Sequence, residues 1–255
     1  MTSARKDSIR ALIKGIETGD DPSVLVVNPD KYIQHNPQTH EGGEGLAALF
    51  KRLSRSSPRV NIARIFSDGD YVFAHTEYEF SSSRIGFEVF RFEGSTTVEH
   101  WDNIQPREGP NSSGHTMVDG PTEATDLDKT EMNRKIVRSF VDEVLISGQL
   151  DKLEQYIAAQ RFIEHDPRMG DDLSALRLAL SKPAPNDGIA IEYERMHRIL
   201  AQGNFVLSVN EGFLNGIHSS FYDLYRIADD KLVEHWDTTE AIPPRSQWKN
   251  DNGKF

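Results

Sequence analysis

The chain of 255 residues has no cysteine, which removes disulfides, thiolate nucleophiles and thiolate metal sites together. Positive charge is scarce. Lys and Arg number 29 against 40 Asp and Glu, and a net charge of −11 repels phosphate backbones and anionic lipid. Nucleic acid and membrane surfaces are therefore excluded as expected partners. No apolar run approaches the ~20 residues that cross a bilayer. The opening residues Met1 to Asp7 lack the apolar core of a signal peptide, so the expected location is cytoplasmic. A Gly-x-Ser-x-Gly elbow is also missing, which leaves serine nucleophile chemistry without its motif. What remains, 37% apolar and 27% charged residues, is the composition of a globular protein.

The sequence repeats itself. Val98-Glu99-His100-Trp101-Asp102 returns as Val233-Glu234-His235-Trp236-Asp237, and upstream Tyr32-Ile33-Gln34-His35-Asn36-Pro37 matches Phe162-Ile163-Glu164-His165-Asp166-Pro167. Gly69-Asp70-Tyr71-Val72 matches Gly203-Asn204-Phe205-Val206, and Arg91 matches Arg226. Such a period reads as a tandem duplication. The expected organisation is copy 1 over residues 1–106, a linker rich in Pro, Gly, Ser, Thr and acids over 107–130, and a diverged copy 2 with a polar tail over 131–255.

Within copy 1 the apolar period predicts a helix through Ile9, Leu12, Ile13 and Ile16, ended at Gly19. A short second helix starts at Asp21-Pro22, and a third carries Leu46, Leu49, Phe50 and Leu53 up to Pro58. The period then changes to two, predicting strands over 59–66, 71–80, 84–92 and 96–105. Copy 2 repeats the order, with helices near 132–146, 150–159 and 171–181 and strands near 189–200, 204–213, 217–227 and 231–240. Its extra residues fall at turns, around 183–188 and 215–216. The expected class is α+β, with three helices packed on a strongly curved antiparallel sheet in each copy.

The Tyr-Ile-Gln-His-Asn-Pro segment, the glycine-led helix and the closing Val-Glu-His-Trp-Asp-x-Ile-Gln-Pro resemble the SnoaL-like polyketide cyclases, in the nuclear transport factor 2-like and ketosteroid isomerase-like superfamily. Within it the sequence is most similar to the predicted aldol-condensation branch. The resemblance spans residues 7–117 in copy 1 and both ends of the signature in copy 2. It implies two cone-shaped domains with mostly apolar pockets, no metal and no organic cofactor. It also implies an intramolecular pseudo-dimer needing no second chain, with further homo-oligomerisation left open.

Aldol closure and double-bond isomerisation share one step, removal of a proton next to a carbonyl, which needs a base and a donor for the enolate oxygen. Asp102 with His100, and Asp237 with His235, lie two apart on a strand and so share a face, with Val98 and Ile104 on the same side. His35 and His165 enter from the loop before the third helix. The ketosteroid isomerase resemblance implies an aspartate base just before a proline, which copy 2 has in Asp166 and copy 1 replaces with Asn36. The candidate catalytic groups are thus His35, His100, Asp102, His165, Asp166, His235 and Asp237. Tyr32, His75, Trp101, Phe162 and Trp236 are candidate substrate contacts for a small apolar carbonyl compound. Arg91 with Glu99 and Arg226 with Glu234 read as structural cross-strand ion pairs. A zinc or iron site from His35, His75, His100 and Asp102 is a lesser reading, without tight ligand spacing. The rival function is a binding or scaffolding module that kept the cone and lost the chemistry; copy 2 has Val209 where copy 1 has His75.

Overall fold

The computed structural model describes residues 2–19, 26–181 and 188–255. The helix expected from Asp21-Pro22 and the turn at 183–187 lie outside these. Two compact units are formed, and each contains one five-stranded sheet.

In unit 1, helix α1 (Thr2–Thr18) places Ile9, Leu12, Ile13 and Ile16 on one buried stripe. Burying such side chains contributes roughly 1.5–3 kcal/mol each. Gly19 ends it with φ +72°, the left-handed position that favours glycine. Helix α2 (Gly42–Leu53) buries Leu46 and Phe50. The sheet comprises β1 (Ile33–Gln34), β2 (Arg59–Asp68), β3 (Tyr71–Glu79), β4 (Ser83–Glu93) and β5 (Thr96–Pro106), in the order β1-β5-β4-β3-β2. Strands β2 to β5 form an antiparallel meander, while β1 adds to β5 in parallel, with Gln34 across from His100.

Unit 2 has helix α3 (Thr130–Phe140), which widens into a π-helical stretch over Val141–Ile146, then α4 (Leu153–Tyr156) and α5 (Leu173–Ala179). Its strands are β6 (Ile163–Glu164), β7 (Ile191–Gln202), β8 (Phe205–Leu214), β9 (Ile217–Ala228) and β10 (Lys231–Ala241). They are ordered β6-β10-β9-β8-β7, the same topology as unit 1. The α+β class holds in both units. Among the described residues no helix is long and apolar enough to cross a membrane.

Contacts divide the chain differently from composition. Residues 108–130, polar enough to read as a linker, belong to unit 2, and 242–255, expected within copy 2 and its tail, belong to unit 1. Hydrogen bonds hold both segments, and Met117 is buried as well. Asn111 is buried and donates to Glu164 O at 2.6 Å, and Asn250 is buried and donates to Asn36 O at 2.7 Å and Thr39 O at 2.9 Å. Each asparagine also closes a tight turn by accepting from the backbone two residues on, Ser113 N and Asn252 N.

Candidate functional site

The last strand of unit 1 sets the geometry. A bulge leaves Val98 unpaired in register, so regular alternation begins at Glu99 and puts His100, Asp102 and Ile104 on one face. All three line a cavity of about 260 Å³. Its walls are apolar, with Leu12, Ile13, Ile16, Leu49, Phe50 and Phe90 among them, and its polar groups are concentrated on the sheet side.

Those polar groups are mutually ordered. The backbone N–H of Asn36 donates to Gln34 Oε1 at 2.9 Å, which fixes that oxygen as an acceptor. His100 Nδ1, 3.0 Å from the same oxygen, therefore carries its proton there. His100 Nε2 lies 2.7 Å from Glu88 Oε2, and a proton must be held between them; Tyr78 donates to Glu88 Oε1 at 2.6 Å. Asp102 Oδ2 accepts from Asn36 Nδ2 at 2.8 Å, whereas Asp102 Oδ1 is buried without a hydrogen-bond partner. Lys254, itself buried, donates to the Asp102 backbone O at 2.9 Å and has its Nζ 3.8 Å from Oδ1. The Tyr32 hydroxyl also lacks a partner. Burial, reinforced by the Glu88 and Asp102 carboxylates, pushes its pKa well above the usual phenol value, so it stays a donor.

Several expected contacts lie elsewhere. His35 is on the opposite face of the sheet from His100, because the parallel pairing of β1 turns Gln34, not His35, toward the cavity. It stacks on Trp101 at 4.6 Å, lies 3.0 Å from Gly253 O through Nδ1 and pairs with Glu99 at 2.9 Å through Nε2. Trp101 is on that outer face too, one residue out of phase with Asp102. His75 is fully buried against Phe87 at 4.6 Å, with Nδ1 accepting from Arg64 at 3.1 Å. The strand alternation thus removes His35, His75 and Trp101 from the cavity and dissolves the four-residue metal set. Tyr32, His100 and Asp102 are brought together. Gln34, Glu88 and Tyr78 went unread, although Glu88 pairs directly across from Asp102 and could have been found by laying β4 against β5.

The expected ion pairs form. Arg91 Nε donates to Glu99 at 2.6 Å and Arg226 Nε to Glu234 at 2.6 Å. Each glutamate also holds a histidine, His35 or His165, and although burial opposes it, the histidine and arginine keep both carboxyls below their usual pKa. His165 stacks on Trp236 at 4.7 Å, the same outer pairing as His35 with Trp101. Phe162 is buried in the apolar core of unit 2.

The equivalent positions in unit 2 carry a network of buried charges. Arg168, at the place of Gln38, reaches Asp166 at 2.7 Å and Asp237 at 3.0 Å. Phe221 stands across from Thr239 where Gly86 stands across from Ile104, and it packs on Tyr193 at 4.9 Å. His235 sits between Glu164 at 2.8 Å and Asp223 at 3.2 Å. Burial alone would lower its pKa, but these two carboxylates outweigh it and hold it well above the usual imidazole value. One guanidinium serves two carboxylates, and burial together with Asp166 pushes Asp237 up to about 7. His165, Asp166, His235 and Trp236 are therefore engaged with buried neighbours and Phe162 with the core, while Asp237 is bonded through Oδ2 and its Oδ1, like that of Asp102, has no hydrogen bond.

As to a metal, Glu88, His100 and Asp102 each offer a ligand atom within 4.8 Å of the others, a donor set suited to a divalent cation. Lys254 and the proton between His100 and Glu88 already supply positive charge there.

No family model matches the chain, and no curated protein does. Solved structures do. TsrD from Streptomyces laurentii is 18% identical, with 40% of this chain and 89% of that chain covered and a TM-score of 0.36. An LEH-like epoxide hydrolase from M. tuberculosis is 19% identical, with 41% and 84% covered and a TM-score of 0.35. A de novo designed protein with a curved β-sheet is 16% identical, with 41% and 87% covered and a TM-score of 0.36.

Proposed function

We propose that unit 1 carries out cofactor-independent acid/base chemistry on a small, largely apolar carbonyl compound, by aldol-type cyclisation or isomerisation. The observation that carries this reading is a buried Asp102 Oδ1 and a buried Tyr32 hydroxyl, both without a hydrogen bond, in one apolar cavity, with Lys254 3.8 Å from the carboxylate oxygen. Buried polar atoms without hydrogen bonds cost stability, and a ligand that bonds to them recovers it. Asp102 Oδ1 takes the proton from carbon beside the carbonyl, and the charge moves to the carbonyl oxygen, where Tyr32 donates. The enolate carbon then attacks a second carbonyl, whose alkoxide recovers the proton from Asp102, or is reprotonated one vinylogous position away. Asn36 aims the base, and the His100–Glu88 pair forms a polar floor. The resemblance of Tyr32 to Pro37 and Val98 to Pro106 to the SnoaL-like cyclases supports the same assignment. Unit 2, with Arg168 between its carboxylates, is assigned a structural role.

The test is deuterium uptake. The full chain in D2O with 2-decalone should exchange the protons beside the carbonyl faster than buffer does, read by proton NMR. Asp102→Asn should abolish this excess, Asp166→Asn should leave it, and EDTA should leave it. Exchange that survives Asp102→Asn defeats the assignment, and loss on EDTA transfers the chemistry to a cation on Glu88, His100 and Asp102.

A further inference from the structure

The cavity of unit 1 is zoned by charge. Its lining acids, Glu88 and Asp102, are both buried on the sheet side, and its lining cations, Arg52 and Lys249, are both exposed. Neither cation has an acidic partner among the described residues, although the protein carries an excess of acids and a net charge of −11. Arg52 comes from the last turn of α2 and Lys249 from the segment after β10, so separate elements bring like charges to one mouth. Between mouth and floor the walls are leucine, isoleucine and phenylalanine.

We infer that the ligand is a small oxo-monocarboxylate, with its carboxylate at Arg52 and Lys249 and its carbonyl at Tyr32 and Asp102. The inference rests on the acid/base reading above for its carbonyl half and adds the charged half. On the floor Lys254 already faces Asp102 and His100 already pairs with Glu88, whereas the two cations at the mouth have no acid among the described residues, so a molecule with one charged and one neutral polar end is favoured with its anion at the mouth. An apolar spacer between the two ends matches the walls. The volume of about 260 Å³ lies just under the usual range of drug-sized pockets, about 300–1,000 Å³, which fits a short chain or single ring. Two exposed cations add modestly to affinity and do so in a salt-dependent way.

The experiment compares binding of 7-oxooctanoate, octanoate and 2-octanone to the full chain by titration calorimetry at low and high salt. The keto acid should bind about three- to tenfold more tightly than 2-octanone at low ionic strength, and the advantage should shrink in high salt. Octanoate should bind more weakly than the keto acid, lacking the group that meets Tyr32. The double variant Arg52→Ala, Lys249→Ala should abolish the advantage of the keto acid over 2-octanone and its salt dependence. Equal binding of keto acid and ketone, or a carboxylate preference that persists in the double variant or is insensitive to salt, overturns the inference while leaving the acid/base reading intact. If 2-octanone and the keto acid both fail to bind, that reading falls and takes this inference with it.

Discussion

Asp102 and Tyr32 show how little of a site residue identity alone discloses. Asp102 could be read from the sequence because it repeats beside a histidine and a tryptophan; its unpartnered Oδ1 could not, because that depends on where Asn36 and Lys254 come to lie. Tyr32 was noted as a contact, but its role as the donor to developing charge follows from burial beside Glu88 and Asp102. Tyr32→Phe removes one such donor and should lower the deuterium exchange rate by roughly 10²–10³-fold, with little change in fold by circular dichroism. An unaltered rate would show that the enolate oxygen is stabilised by some other group. Glu88 illustrates the converse. A lone glutamate among Phe87, Val89 and Phe90 carries no motif, and only its pairing across from Asp102 gives it a place in the site.

At the level of the element, the bulge at Val98 and the parallel strand β1 decide which residues meet the cavity. A period of two makes His100 and Asp102 share a face, and that much was legible. The side of the sheet taken by His35 was not, because a two-residue strand leaves no periodic trace; its phase comes from pairing with β5. The segment after β10 is a second such case. Asn250, 8% exposed, ties down the loop that carries Asn36 and Thr39. Asn250→Ala leaves two carbonyls without that donor and should cost about 1–3 kcal/mol, lowering the melting temperature by several degrees and weakening binding of 2-octanone. Gly86 is constrained as well, since a Cβ there would lie 2.7 Å from Thr76 Oγ1 and 2.8 Å from the Tyr78 ring. Gly86→Ala should push Tyr78 away from Glu88 and destabilise by about 1–3 kcal/mol, measured by urea unfolding.

For the molecule as a whole, the two units share a topology and differ in chemistry. Unit 2 buries a protonated histidine and a carboxyl whose pKa is raised to about 7. Both bind protons more tightly folded than unfolded. The stability they contribute is present at low pH and is lost as pH rises, from about 4 to 7 for Asp237 and above about 6.5 for His235. Each group contributes a slope of up to about 1.4 kcal/mol per pH unit within its window. The melting temperature of the full chain, followed by tryptophan fluorescence, should therefore fall between pH 5 and 8, and Asp237→Asn should flatten that fall. A melting temperature that climbs with pH across this range would contradict the arrangement of Arg168, Asp166 and Asp237.

The sequence by itself determined the doubled α+β plan, the helix stripe of Ile9, Leu12, Ile13 and Ile16, the four-strand meanders and the shared face of His100 and Asp102. Each of these follows from local periodicity, which a linear pattern records directly. Tertiary structure alone decided what each interior holds, apolar walls around Asp102 in unit 1 and a guanidinium between two carboxylates in unit 2. Gln38 versus Arg168 and Gly86 versus Phe221 are single substitutions far apart in the chain, and their effect depends on side-chain volume and charge meeting across strands that only folding brings together.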